Sequence, residues 1–118
     1  MAARRIDTAD GRAALAAVTN GDADRPQTAA AVRYLLQLLE EKAPGNSVEV
    51  RVPPFGAVQV VQGPRHTGGT PPNVVEMDAA TWVSVATGAE HWADALAAGR
   101  IVASGIRADI DALLPLRP

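Results

Sequence analysis

The sequence predicts an α+β fold: a mixed, mainly antiparallel sheet of four to five strands with helices packed on one face. Three observations lead there. Residues 27–42 carry an apolar repeat of helical period; the period switches to two in SVEVRVP; and two short helical patterns, each closed by a glycine, precede one further strand. The 118 residues suit one domain, and 47% hydrophobic against 20% charged residues is the composition of a chain with a core. Aromatic residues are only 3%, so that core must be built from Val, Leu, Ile and Ala.

Taken in order, Asp10 to Val18 is alanine-rich and is expected to form a short helix ending near Asn20-Gly21. From Gln27 to Lys42, Val32, Leu35, Leu36 and Leu39 fall at i, i+3, i+4 and i+7, the stripe of an amphipathic helix. Tyr34 and Leu38 widen the stripe beyond what one sheet face needs. Ala43-Pro44-Gly45-Asn46 stops it, because proline and glycine continue a helix only at high cost. In SVEVRVP, Val48, Val50 and Val52 point one way and Glu49 and Arg51 the other, which gives a strand with one buried and one wet face. Pro53-Pro54-Phe55-Gly56 turns the chain into a partner strand, AVQVVQ.

GPRHTGGTPP, from Gly63 to Pro72, reads as a loop, and NVVEM as a third strand. Asp78 caps a helix whose apolar face is Trp82, Val85 and Ala86, and Gly88 ends it. Glu90 to Ala98 repeats the spacing with Trp92, Ala95 and Leu96, stopping at Gly99. Arg100 to Ser104 alternates as a short strand with Ile101 and Ala103 facing together. After Gly105 a last helix is expected, with Ile106, Ile110, Leu113 and Leu114 on one side before Pro115.

Several function classes lose support at once. A net charge of −2 and a pI near 5.6, with no basic cluster beyond Arg4-Arg5, argue against nucleic acid or an anionic membrane as partner. Cysteine is absent, so disulfides, thiolate catalysis and Cys-ligated zinc are excluded. No apolar run approaches the ~18 residues of a membrane span. MAARRIDTADGR has no apolar stretch behind its arginines, so it does not read as a secretion signal, and a cytoplasmic location is expected.

The catalytic candidates are thin. Gly63 to Gly68 has GxxxxG spacing, but Gly69 stands where a phosphate loop needs lysine, and a strand follows where it needs a helix. Arg65, His66 and Thr67 form a polar cluster in that loop, able in principle to meet an anion or move a proton, and otherwise a solvated loop. His66 and His91 are the only histidines and stand 25 positions apart, without further ligands at zinc spacing, so no metal and no other cofactor is expected. No serine sits in GxSxG. Asp109 and Asp111 read as acids at a helix N-terminus. Trp82 and Trp92 lie on apolar faces of adjacent helices, where they either fill a core or line an apolar cavity.

Two stretches carry a resemblance. The run from the Asp78-capped helix through WADALAAGR and IVASG is similar to the C-terminal half of the sterol carrier protein domain. AAVRYLLQLLEEKAPGNSVEVRVPPFGAVQVVQGPRHTGGTPPNVVE resembles the bacterial sterol-carrier-protein orthologues of actinobacteria, with VEVRVPPFGAVQ its most specific part. Residues 25–118 carry the resemblance; 1–24 supply an N-terminal helix and linker to the same domain. It implies helices on one face of a curved five-stranded sheet with a hydrophobic tunnel between them. Val58, Val60, Met77, Trp82, Trp92 and Leu96 are the implied lining, and a lipid or fatty acyl chain the implied ligand, carried without catalysis. The alternative is an accessory module that contacts a partner enzyme, or a second copy, through the 27–42 helix.

Overall fold

The computed structural model describes residues 5–63 and 72–118 of the chain. Helix α1, Thr8–Thr19, starts where the Asp7 carboxylate accepts the Asp10 N–H at 2.9 Å. Helix α2, Arg25–Lys42, begins two residues earlier than its apolar period alone predicts. The reason is a reciprocal cap: Asp24 accepts the Gln27 N–H at 2.8 Å, and the Gln27 side chain accepts the Asp24 N–H at 2.9 Å. Pro26 suits the first turn, where its missing N–H costs nothing.

Four strands form one mixed sheet among the described residues: β1, Val48–Val52; β2, Gly56–Val60; β3, Asn73–Met77; and β4, Ile101–Ser104. Their order is β2-β1-β3-β4. β1 and β2 make the expected antiparallel hairpin, with Val50 opposite Val58. β3 pairs parallel to β1, and β4 closes the sheet antiparallel to β3, with Met77 opposite Ile101. The register puts Val48, Val50, Val52, Val60, Val75, Met77 and Ile101 on one face, all buried. Each such side chain contributes roughly 1.5–3 kcal/mol by leaving water, so this face holds the helices. Ala103 shares the face by register but lies exposed at its edge. On the opposite, open face Arg51 pairs with Glu49 at 2.8 Å.

Helix α3, Ala79–Thr87, and helix α4, Trp92–Ala97, complete the helical layer, each ended as expected at glycine: Gly88 is itself the left-handed cap of α3, and Gly99 takes φ 78° just beyond α4. The breadth of the α2 stripe is taken up within the chain. Tyr34 is buried beneath α1, where Gly11 leaves room for the ring, and Gln37 exchanges two hydrogen bonds with the Ile6 backbone at 2.9 and 2.8 Å. Phe55 at the hairpin tip is held to α2 by the Arg25 guanidinium over its ring and by the Arg33 Nε–H bonding its carbonyl at 2.8 Å.

The last expected helix does not form. After Gly105 the chain runs irregularly, with one 3-10 turn at Asp111–Leu113. Its backbone groups are drawn elsewhere: the Arg107 N–H donates to Asn73 Oδ1 at 2.9 Å, and the Leu116 N–H to the Ala86 carbonyl at 2.8 Å. Asp109 accepts the Asp111 N–H at 2.8 Å, a local bond that competes with helix and replaces the helix-terminus role expected of these acids. Ile110 and Leu116 are buried in this strap, while Ile106 is fully exposed.

Candidate functional site

The site expected from the sequence is the interface between the sheet and the helices α3 and α4. Asp78 starts α3 by accepting the Thr81 N–H at 2.8 Å. That bond, with the Thr81 hydroxyl and the nearby Arg100 charge assisting, holds the Asp78 carboxyl below its ordinary value. One turn on, Trp82 points inward and its indole N–H donates to the Val32 carbonyl of α2 at 3.2 Å. Trp92, the first residue of α4, turns into the same core.

Of the six lining candidates, Val60, Met77, Trp82 and Trp92 meet in one buried cluster, and Val58 packs half-buried against it. Leu96 is turned outward and is 41% exposed. Val60 and Trp82 have 0% accessible surface. A side chain without accessible surface touches no void large enough for water, so the interior is filled around these two residues. The polar candidates Arg65, His66 and Thr67 lie outside the described residues.

Open space lies on both flanks of α3. A cleft of about 310 Å³ runs between α3 and the α1–α2 connection, walled by Val18, Ala23, Thr28, Ala79, Ala80 and Val83. Its walls come from three separated segments, so neither period nor motif reveals it; the pair of small residues at Ala79-Ala80 is the only local hint. A smaller cleft of about 160 Å³ borders Trp92, Val85, Leu114 and Pro115. A wider hollow of about 660 Å³ at Gly45, Asn46, Gln62 and Gly63 has no large apolar side chain among these four.

Arg100 and Glu90 form a two-armed ion pair, with Nη1 to Oε1 at 2.6 Å and Nη2 against Oε2. The Arg100 bond holds the Glu90 carboxyl below its ordinary value, and Glu90 in turn raises Arg100. This pair has no sequence signature, since its partners are ten positions apart across a helix. Among the described residues no three His, Asp or Glu side chains gather as a metal site. No described helix is long and apolar enough to cross a membrane.

No curated protein matches this chain. A family model does: residues 24–116 fit the one described as bacterial SCP ortholog, which begins at the Asp24 cap of α2 and reaches the buried Leu116. The chain therefore belongs to the bacterial sterol-carrier-protein ortholog family.

Proposed function

We propose that this chain is a non-catalytic binder or carrier of a hydrophobic ligand of lipid or fatty acyl type. Family membership supports the class, and one observation supports the mode: the apolar cleft of about 310 Å³ along α3, at the lower end of the roughly 300–1,000 Å³ usual for ligand sites. Val18, Val83 and the alanines offer a surface that an acyl chain would share with no competing hydrogen bond. Val60, Met77, Trp82 and Trp92 are the further wall on this reading, reached when the helices part from the sheet.

Native mass spectrometry of the chain purified from its host, joined to titration with a fluorescent acyl chain, tests it. Saturable binding that falls about tenfold or more in Ala80→Phe, which fills the cleft, is the expected result. An empty protein without saturable binding overturns it.

A second reading has its own observation. The filled interior around Val60 and Trp82 suits an accessory module that contacts a partner enzyme or a second copy and holds no ligand. With Tyr34 covered by α1, the large apolar side chains exposed among the described residues are Leu96, Val102 and Ile106, none of them on α2. Light scattering of the purified chain and a search for a co-purifying protein separate the readings: a monomer without a partner counts against the module.

A further inference from the structure

The segment from Glu90 to Arg100 is nearly closed in its own hydrogen bonds. The amides of Asp94, Ala95, Ala98, Gly99 and Arg100 all donate to carbonyls between His91 and Leu96. One amide, that of Glu90, reaches outside, to the Ser84 carbonyl at 3.2 Å. The two feet of the segment are joined to each other by the Arg100–Glu90 pair. At its ends stand Gly88 and Gly99, both in the left-handed region where glycine moves most freely, at φ 83° and 78°. What seats the segment on the protein is the burial of Trp92 and Ala95, the two buried residues of α4. Beside Trp92 the packing is already incomplete, at the cleft of about 160 Å³.

We propose that residues 89–98 form a hinged flap between pivots at Gly88 and Gly99, which lifts as one body and uncovers Trp92. Lifting breaks the Glu90–Ser84 hydrogen bond and, across the Gly99 pivot, the Arg100–Ala95 hydrogen bond and the Arg100–Glu90 pair. It leaves the other internal bonds of the flap intact, so the motion stays local. Elements with few outside bonds and little buried surface are those that open below the global unfolding free energy. On the carrier reading, on which only this last step rests, the uncovered Trp92 is where a hydrophobic ligand reaches the interior.

Hydrogen exchange on the full chain without ligand tests the flap. The amides of Glu90 and Arg100, whose acceptors are given up on lifting, exchange together, well before those of α2, β1 and β3. In Glu90→Gln, where the feet are no longer pinned, this group alone exchanges about two- to fivefold faster, as loss of an exposed ion pair allows. Trp82→Phe leaves Trp92 as the sole tryptophan, and its quenching by acrylamide rises on adding Glu90→Gln; the exchange data stand alone should Trp82→Phe fail to fold. The flap is overturned if these amides open only with α2, or if Glu90→Gln changes all elements equally or none. Oleate separates the two ideas. Saturable oleate binding that alters flap exchange supports entry at Trp92, and binding that leaves the flap unaltered overturns that entry step. Absence of oleate binding overturns the carrier reading alone, with the flap judged on its exchange.

Discussion

The indole N–H of Trp82 on α3 donates to the Val32 carbonyl of α2 at 3.2 Å in the middle of the core. Val32 lies inside a helix, so its carbonyl is already an acceptor for the next turn and the indole adds a second bond. Trp82→Phe therefore leaves no orphaned carbonyl and loses volume and one bond, with an expected cost of about 1–2 kcal/mol. Trp82→Ala empties the site and is expected to cost about 3–5 kcal/mol. Urea unfolding of both variants checks the order, which a loosely packed Trp82 would erase.

Gly11 faces the Tyr34 ring so closely that a β-carbon there overlaps it. An alanine at this helical position normally stabilises by about 1 kcal/mol over glycine. Here Gly11→Ala is expected to destabilise instead, by about 1–3 kcal/mol of overpacking, because the Tyr34 ring is buried beneath α1 and has nowhere to move. Thermal melts of Gly11→Ala, alone and with Tyr34→Leu, measure this; the second change is expected to return most of the loss.

Asn73 is buried at the start of β3 and ties three segments. Its Nδ2 donates to the Ser47 carbonyl at 2.9 Å, and its Oδ1 accepts the Arg107 N–H at 2.9 Å. Asn73→Ala removes both partners from groups with little access to water, at an expected cost of about 1–3 kcal/mol. Proteolysis after Arg107 is expected to quicken in this variant, since the bond that holds the closing strap to the sheet is gone. Mass spectrometry of limited trypsin digests reads it directly.

Asp78 carries a pH dependence of known sign. Its carboxyl is held below its unfolded value by the Thr81 N–H, so the stabilisation is full above the unfolded value and is lost as pH falls through the folded one. Asp78→Ala is expected to cost about 1 kcal/mol near neutral pH, as loss of a helix cap does. The gap between wild type and variant is expected to close from about pH 5 downward. Urea midpoints at a series of pH values measure it, and a gap that stays constant into acid would assign the cap no charge.

Much of this fold is legible along the chain because its signals are local. The switch of period between Leu39 and Val48 marks helix and strand, Asp78 and Gly88 bound α3, and Gly99 stops α4 without reference to any distant residue. The expected last helix fails for the same reason in reverse. Ile106, Ile110, Leu113 and Leu114 have helical spacing, but Asp109 bonds its own neighbour's amide and Asn73, 34 positions away, takes the Arg107 amide. Spacing records which side chains prefer one face; it does not record what competes for the backbone.

The sequence by itself determined the helix–strand order as far as β4, the buried face of the β1–β2 hairpin and the family, since each depends on residues adjacent in the chain or on a long continuous match. Only the tertiary structure decided that β3 lies parallel to β1, that α1 covers Tyr34, that the interior is filled around Trp82, and that open apolar space lies beside α3. These depend on how closely separate segments approach, and packing distance is set by the summed shapes of many side chains, which no periodicity encodes.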